Sequence, residues 1–418
     1  MGQDYRARVV DGELQATLRA SGAVLVEGPR GCGKTATARQ VAASEVRFDT
    51  GDTARHAALV DPALVLDGPT PRLLDEWQLV PQIWNHVRRA VDDRQSAGLF
   101  ILTGSAVPSD DVTRHTGALR ITRLRMRPMT LAEVGVSTGA VSLAGLLAGE
   151  PARSPDTGLT VAGIAEVVAA GGWPGLLGRS AADAAKAVRG FVDELRRVDV
   201  SRVDNVARDP VRVGRLLRSL ARNVATPAAA TTLAADTAGE DPPLKDDTVH
   251  EYLSVLERLF VVEDQPAWAP HLRSRSVLRR GAKRHFIDPS LAVAALHATP
   301  ERLRRDLNLL GLLFESLVVR DLRVFAQALG GRVLHYRDNT GLEVDVIVET
   351  GDGAWAAFEV KLGAGLVDEA VRSLQRFAER VDIAKCGAPA ALGVIVGTGY
   401  GYVRDDGVAV IPAGALGP

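Results

Sequence analysis

The sequence predicts an α/β fold that is divided among several domains, and three observations support this. A chain of 418 residues is too long for one ordinary hydrophobic core. Residues 28–35 are glycine-rich and stand between an apolar run and a helix-forming run, as where a strand of a parallel sheet turns into a helix. Residues 302–362 have the pattern of a long helix followed by three strands that carry acidic residues.

The composition is typical of a globular protein, with 46% hydrophobic and 24% charged residues. The formal net charge is −1, so any attraction for nucleic acid must come from a local patch. Cys32 and Cys386 form neither a disulfide pattern nor a metal-ligand pattern. The polar N-terminus and the short apolar runs predict neither a secretory signal nor a membrane span, and hence a cytoplasmic location.

The glycine-rich segment fits the spacing Gly, four residues, Gly, Lys, Ser or Thr. It consists of Gly28, Pro29, Arg30, Gly31, Cys32, Gly33, Lys34 and Thr35. The apolar run 23–26 predicts a buried strand before it, and backbone N–H groups of such a loop bind phosphate. Lys34 is expected to reach the β- and γ-phosphates of ATP, and the Thr35 hydroxyl to bind Mg²⁺. Cys32 is either an inert small residue or an oxidation-sensitive thiol.

A second apolar run ends in Asp75 and Glu76. Asp75 is expected to hold Mg²⁺ through water, and Glu76 to orient or deprotonate the attacking water. Without a phosphate loop upstream, such a pair would read as a solvated strand end. A third strand, 99–102, leads into Thr103 and Ser105, whose hydroxyls either contact the γ-phosphate or belong to a simple turn.

These motifs occur in the order Gly-Pro-Arg-x-x-Gly-Lys-Thr, Leu-Asp-Glu-Trp-Gln and Leu-Thr-Gly-Ser. The order resembles a large prokaryotic group of AAA-type P-loop ATPases with a C-terminal, DUF4143-like region of restriction-endonuclease-like fold. The resemblance implies a parallel-sheet P-loop NTPase, a helical lid, a winged helix and a nuclease-like domain. It also makes Arg120 a candidate arginine finger or nucleotide sensor, although Leu119 stands where the family usually has glycine. The alternative for Arg120 is an ordinary exposed arginine.

The middle of the chain is mainly helical in pattern. Residues 137–160 are rich in Gly, Ala, Ser and Pro and read as a hinge or loop, whereas 181–222 have the periodicity of lid helices. Residues 171–174, Gly-Gly-Trp-Pro, resemble a turn of the same family.

Helices at 213–223 and 247–259, followed by strands at 260–263 and 284–288, describe a winged helix, and the family is similar there. The basic residues expected at its hairpin tip are Arg273, Arg275, Arg279, Arg280, Lys283 and Arg284. This basic wing predicts contact with the DNA backbone. A solvated loop and a protein-binding surface are the alternatives.

The C-terminal pattern predicts an acidic site. Glu315 lies on the long helix and Asp345 on the second strand, while Glu359 and Lys361 share one face of the third strand. Three carboxylates beside a lysine suit a Mg²⁺ site that acts on a phosphodiester. The set resembles the PD-(D/E)XK nuclease core, in which a residue at the position of Gln375 often assists. Some relatives keep this fold and lose the chemistry.

The sequence therefore predicts an ATPase core at 1–136, a helical lid at 137–210, a winged helix at 211–290 and a nuclease-like domain at 291–418. The predicted function is a Mg²⁺-dependent ATPase coupled to nucleic-acid binding or cleavage. The alternative is a regulatory nucleotide switch that binds a protein partner and carries a catalytically silent nuclease-like domain. The sequence leaves open whether the chain forms a homo-oligomer and whether Arg120 acts across a subunit boundary.

Overall fold

The computed structural model describes residues 5–105, 116–200, 206, 208–238, 243–269 and 281–418. Its two largest sheets have five and six strands, and a mainly helical segment lies between them in the chain. Among the described helices, none has the length and apolar character needed to cross a membrane.

The N-terminal sheet is parallel throughout, with the strand order β2-β3-β4-β1-β5. Its strands are β1 Ala23–Glu27, β2 Ser44–Arg47, β3 Arg72–Asp75, β4 Phe100–Gly104 and β5 Ile121–Arg125. Strand β1 is buried along its whole length, which is why its sequence is a continuous apolar run rather than an alternating one. The carboxyl ends of β1, β3 and β4 meet at one edge, where ligands bind to open α/β sheets.

In the residues that the structure describes, five α-helices accompany this sheet: α1 Val10–Ala20, α2 Lys34–Arg39, α3 Asp52–Val60, α4 Ala63–Leu66 and α5 Ile83–Arg94. Helix α1 buries Val10, Leu14 and Leu18, which recur every four residues and therefore share one face. That face packs in one core with β1 and with Ala38 near the end of α2, so the first helix supports the strand that carries the glycine-rich loop.

The middle segment contains eight helices and three short strands in the described residues. They are α6 Leu131–Val134, β6 Val141–Ser142, α7 Leu143–Leu147, α8 Val161–Ala170, α9 Ala181–Glu194, α10 Pro210–Arg222, α11 Ala230–Asp236, α12 Asp246–Arg258, β7 Val262–Gln265, β8 Lys283–Phe286 and α13 Pro289–Ala295. The expected loop at 137–160 contains β6 and α7, because Ser142 caps α7 by accepting a hydrogen bond from the Gly145 N–H. Strands β7 and β8 are antiparallel. The short helix α11 was not expected.

The C-terminal segment places helices on both faces of the six-stranded sheet. Its elements are α14 Pro300–Arg304, α15 Leu307–Ala328, β9 Arg332–Arg337, β10 Glu343–Glu349, β11 Trp355–Lys361, α16 Val367–Arg380, α17 Ile383–Cys386, β12 Ala391–Val396, β13 Tyr402–Val403, β14 Ala409–Pro412 and β15 Leu416–Gly417. The strand order is β13-β14-β12-β11-β10-β9. The helix expected at 302–328 is two helices, because the Asp306 carboxylate caps the second by accepting from the Leu309 N–H.

Alternating residues of the C-terminal strands serve two separate cores. Val346 and Phe358 pack with α15 on one face, whereas Ile347 and Ala357 pack with α16 on the other. The core on the α15 side is one cluster whose residues come from positions between Leu131 and Leu416, including residues of α8, α9, α10 and α13. The middle helices and the C-terminal sheet are therefore held together by one shared apolar interior.

Candidate functional site

The glycine-rich loop joins β1 to α2 in a tight curve. Gly31 and Gly33 have φ angles of 82° and 103°, in the left-handed region that favours glycine. A Cβ on Gly28 would lie 2.1 Å from the backbone oxygen of Met126, which follows β5. Backbone conformation and close approach thus account for all three glycines, and the loop keeps the shape that wraps a phosphate.

Lys34 and Thr35 begin α2 with their polar atoms directed to defined partners. The Lys34 ammonium donates to the carbonyl oxygens of Gly28 at 2.9 Å and Pro29 at 2.8 Å, so it lies within the curve of the loop. The Thr35 hydroxyl donates to Oδ1 of Asp75 at 2.7 Å. Lys34 thus lies within the loop and Thr35 beside Asp75, while their roles toward phosphate and Mg²⁺ stay predictions.

Asp75 lies at the end of β3 and is only 3% exposed. The same Oδ1 atom also accepts a hydrogen bond from the Thr103 hydroxyl at the end of β4. Hydroxyl and carboxylate oxygens are the ligands that Mg²⁺ prefers, so Thr35 and Asp75 fit the predicted metal role.

Glu76 follows directly, with a left-handed φ of 56°, and its carboxylate accepts a hydrogen bond from the Gln78 side chain. Ser105 is buried directly after β4. The structure brings the predicted residues of this site to one edge of the sheet.

A cavity of about 470 Å³ opens beside the loop and α2. Its size suits a nucleoside-sized ligand. Its lining combines the N-terminal segment, the loop, the segment after β5 and the turn after α8: Tyr5, Arg6, Arg8, Gly33, Ala36, Thr37, Met129, Pro174, Gly175, Leu177 and Gly178.

Arg8, which the sequence analysis did not select, makes hydrogen bonds that hold the glycine-rich loop in place. Its side chain is buried and donates to the carbonyl oxygens of Cys32 at 2.9 Å and Arg127 at 2.8 Å, and to Glu133 at 3.0 Å. Glu133 also completes a capping box with Thr130 at the start of α6. The Thr-x-x-Glu spacing was the available signal for that cap, although not for its long-range partner. Cys32 itself is fully buried.

The Gly-Gly-Trp-Pro turn packs directly against the segment after β5. A Cβ on Gly172 would lie 2.0 Å from the backbone oxygen of Met129, and the Met129 N–H donates to the Gly172 carbonyl at 2.6 Å. The Gly172 N–H in turn donates to Asp288 at 3.0 Å, and the Trp173 indole to Ser290 at 2.9 Å. The cavity wall is thereby connected to α13.

Arg120 does not join this site within one chain. It precedes β5 at the opposite end of the strand from the loop, about 20 Å from Gly28 at roughly 3.3 Å per residue. Its guanidinium pairs with Asp92 at 2.8 Å. Leu119 has a φ of 66° and is 96% exposed, so glycine would adopt this backbone conformation with less strain. The finger role across a subunit boundary stays a prediction.

A second polar pocket, of about 500 Å³, lies over the C-terminal sheet. Asp345, Glu359 and Lys361 line it, together with Glu343, which the sequence analysis did not select. The Lys361 ammonium lies 2.6 Å from Glu359 and 3.3 Å from Asp345. Gln375 is on α16 but does not line the pocket, whereas Glu369, Ala370, Ser373, Arg376 and Arg380 of that helix do.

Lys283 was predicted to lie at the exposed tip of a DNA-contacting hairpin, but the structure places it in the protein interior. Its side chain is 2% exposed, and its ammonium lies 2.9 Å from Glu315, 2.7 Å from Glu343 and 3.3 Å from Asp345. The prediction that Lys283 faces DNA is therefore wrong, because strand alternation turns this residue into the protein. Arg284, its neighbour, is half-buried and donates to the Ala228 carbonyl. The other four basic residues of that prediction, Arg273, Arg275, Arg279 and Arg280, lie outside the described residues.

The four carboxylates do not share one electrostatic environment. Burial and the charge of Asp345 raise the pKa values of Glu315 and Glu359 to about 8 each. Burial opposes ionisation of Asp345 as well, but Lys283 and Lys361 outweigh it and hold the pKa of Asp345 below its usual range. The same carboxylates outweigh burial and raise the pKa of Lys283. Both lysines therefore stay charged.

The predicted ligand set of Glu315, Asp345 and Glu359 converges, but around ammonium groups. In the part of the chain that the structure describes, no three His, Cys, Asp or Glu side chains are arranged to hold a metal ion. Mg²⁺ needs oxygen ligands at about 2.0–2.1 Å, whereas Lys283 already lies between Glu315 and Asp345. This arrangement does not fit the predicted second Mg²⁺ site.

Three family models match the chain. Residues 20–135 match an AAA domain, residues 162–302 the domain of unknown function DUF8612, and residues 310–416 the domain of unknown function DUF4143. The chain thus combines an AAA-type, ATP-binding P-loop domain with a DUF4143 domain. The comparison with curated proteins finds no match.

Several solved structures are distantly similar. A Walker-type ATPase of Pyrococcus abyssi is 13% identical with a TM-score of 0.43, and the match covers 68% of this chain and 94% of that one. RuvB of Thermotoga maritima, in a variant form, is 17% identical with a TM-score of 0.28, over 62% of this chain and 89% of its own. McrB of Thermococcus gammatolerans, in hexamers with bound McrC, is 12% identical with a TM-score of 0.19, over 49% and 70%. These similarities are too low to inform function.

Proposed function

We propose that the chain hydrolyses ATP with Mg²⁺ at the phosphate loop and transmits the nucleotide state to its C-terminal domain. One observation carries the proposal: Lys34, Thr35, Asp75 and Glu76 lie at one edge of a parallel sheet, beneath a loop shaped for phosphate. The adjoining cavity of about 470 Å³ offers room for the nucleoside.

Each side chain has a distinct part in this proposal. Lys34 exchanges its two loop carbonyls for phosphate oxygens when ATP binds. Thr35 and Asp75 hold Mg²⁺, which neutralises charge on the phosphates. Glu76 orients the attacking water, with its carboxylate held by Gln78.

The contacts after β5 suggest how nucleotide state reaches the rest of the chain. Met129 lines the cavity and holds Gly172, and Gly172 binds Asp288. Arg320 of α15 pairs with Asp288 at 2.8 Å and with Asp321 at 2.7 Å. The Asp321 carboxylate then accepts from the Leu131 N–H at 2.9 Å, which closes a buried polar connection from the AAA domain to α15.

The test compares Lys34→Ala with Lys186→Ala, a substitution of an exposed lysine on α9. Lys34→Ala is expected to abolish ATP turnover, whereas Lys186→Ala leaves it unchanged. Glu76→Gln is expected to bind a fluorescent ATP analogue normally and to turn ATP over about 100-fold more slowly or worse. Undiminished hydrolysis by Lys34→Ala would refute the proposal.

For the C-terminal domain we propose a restriction-endonuclease-like, PD-(D/E)XK fold. The order α15, β9, β10, β11, α16, β12 supports it, with antiparallel pairing from β9 to β11 and parallel pairing of β11 with β12. We likewise propose a winged helix for α10 to β8, where helices precede an antiparallel pair.

Two functions are candidates for the C-terminal domain. Convergence of Asp345, Glu359 and Lys361 on one pocket favours contact with a phosphodiester, whereas the ammonium of Lys283 favours a nuclease-like domain that is catalytically silent. Plasmid, linear, branched and single-stranded substrates, each with and without ATP and divalent metal, distinguish them. Cleavage that Glu359→Ala abolishes establishes a nuclease. Binding of duplex DNA without cleavage supports the silent form with a DNA partner, and a protein partner that binds only with ATP supports the regulatory switch.

A further inference from the structure

The acidic cluster of the C-terminal domain already contains a cation, and that cation is a side chain. The Lys283 ammonium lies within 3.3 Å of one oxygen from each of Glu315, Glu343 and Asp345. An ammonium has three N–H donors, so the three carboxylates account for all of them. These carboxylates come from α15 and β10, whereas Lys283 comes from the β7–β8 pair.

The position of Lys283 is fixed by its surroundings. Lys283 pairs with Gln265 across the β7–β8 ladder, and the Gln265 amide donates to the backbone oxygens of Leu334 and Asp345, each at 2.9 Å. The Gln265 carbonyl in turn lies 2.9 Å from His285, the next residue of β8 on the same face. This buried network anchors β8 against β10 and directs the lysine at the carboxylates.

Burying a lysine this completely is costly unless its charge is compensated. Three carboxylates provide more than enough compensation, and their mutual repulsion is in turn relieved by the ammonium. A divalent cation would relieve it through the same oxygens, at shorter distances. The lysine and the metal ion therefore compete for one position.

We propose that Lys283 is the resident cation of this cluster and excludes divalent metal from it. Loss of the ammonium would free the oxygens of Glu315, Glu343 and Asp345, which are then expected to move inward and bind Mg²⁺ or Mn²⁺ at its shorter distances. The middle segment thereby controls the charge of the C-terminal pocket, since the excluding group belongs to β8. The inference is independent of ATP turnover.

The test counts Mn²⁺ ions bound to the full chain without nucleotide, by electron paramagnetic resonance of the free ion. The variants are Lys283→Met, which keeps an unbranched side chain and removes the charge, and Lys283→Met combined with Glu315→Gln. Lys385→Met, at an exposed surface ion pair, is the matched control. Lys283→Met is expected to gain one Mn²⁺ per chain at least 10-fold more tightly than the wild type, and the double variant to lose it.

A second comparison decides the matter if Lys283→Met does not fold. Wild type and Glu315→Gln are expected to bind equal numbers of Mn²⁺ ions, because the ammonium keeps the cluster closed to metal. An ion in the wild type that disappears with Glu315→Gln would overturn the proposal. So would a folded Lys283→Met that binds no more Mn²⁺ than Lys385→Met. Thermal stabilisation of Lys283→Met by Mn²⁺, beyond that of the wild type, would support it independently.

Discussion

Thr35 donates its hydroxyl hydrogen to the carboxylate of Asp75 across 2.7 Å, from the first turn of α2 to the end of β3. Thr103 donates to the same carboxylate oxygen from β4. This shared oxygen links the phosphate loop to two neighbouring strands. Substitution of Thr35, Asp75 or Thr103 is therefore expected to change the Mg²⁺ concentration that ATP turnover requires.

The first prediction concerns Thr35→Val, which keeps the shape and removes the hydroxyl. Loss of one oxygen is expected to raise the Mg²⁺ concentration for half-maximal ATP turnover by about 10- to 100-fold. Thr35→Ser keeps the oxygen and is expected to stay close to wild type. The measurement is a Mg²⁺ titration of turnover, paired with metal-free binding of a fluorescent ATP analogue. Identical titrations for the Val and Ser variants would contradict a ligand role.

The second prediction concerns Arg8, whose guanidinium joins the loop carbonyl of Cys32 to Arg127 and Glu133. Arg8→Lys keeps the charge, but an ammonium cannot reproduce this fork of donors. We expect the KM for ATP to rise about tenfold, or ~1.4 kcal/mol, with a smaller change in kcat. Arg19→Lys, at an exposed site on α1, is the control. A change in kcat alone would show that Arg8 acts otherwise than by positioning the loop.

Local spacing was enough to predict that the glycine-rich loop and Asp75 lie at one edge of the sheet, whereas long-range partners were not predictable. Gly28 to Thr35 and Asp75 lie on adjacent elements whose geometry follows from strand, turn and helix. Lys283 was assigned to an exposed hairpin tip, because nothing in its local sequence reveals that Glu315, 32 residues later, lies opposite. Period-two alternation of β8 does place Lys283 and His285 on one face, but it does not say which face is buried.

The third prediction concerns strain at Leu119. A left-handed non-glycine residue costs roughly 1–2 kcal/mol, and the extra freedom of glycine in the unfolded chain offsets part of the relief. Leu119→Gly is therefore expected to raise the free energy of unfolding by about 0.5–1 kcal/mol. Leu59→Gly, at an exposed position inside α3, is expected to lower it by about 1 kcal/mol. Thermal denaturation of both variants checks the opposite signs, and a destabilised Leu119→Gly would refute the strain.

The fourth prediction separates the two interpretations of Arg120. This residue is remote from its own phosphate loop and 39% exposed, so a finger role requires a second subunit. If Arg120 acts across a subunit boundary, wild-type ATP turnover per chain rises with protein concentration. Arg120→Ala is then expected to show no such rise and, at high concentration, to turn ATP over about 10³-fold more slowly or worse. Arg88→Ala, which removes the other partner of Asp92, is the control. Equal turnover of wild type and Arg120→Ala at every concentration would make Arg120 an ordinary surface residue.

The fifth prediction concerns Glu263 of β7, which joins the AAA domain to α15. Its carboxylate accepts hydrogen bonds from two guanidinium nitrogens of Arg127, at 2.6 and 2.9 Å, and lies 3.4 Å from Arg323. Burial alone would raise the pKa of Glu263, but the two arginines outweigh it and hold the pKa well below its usual range. Removing one partner of such a buried pair leaves the arginines uncompensated. Glu263→Gln is therefore expected to cost about 3 kcal/mol at pH 7.

The pH dependence gives this fifth prediction its sign. Because the pKa of Glu263 is lower in the folded protein than in the unfolded chain, ionised Glu263 stabilises the fold above about pH 4.3. That contribution is lost as the pH falls through the folded-state pKa. The gap between the unfolding free energies of wild type and Glu263→Gln is thus expected to narrow below about pH 4, whereas Glu251→Gln, at an exposed site on α12, shows no gap at any pH. Denaturant unfolding from pH 3 to pH 7 measures this, and a gap that stays constant over that range would mean that the arginines do not hold Glu263 as an ion pair.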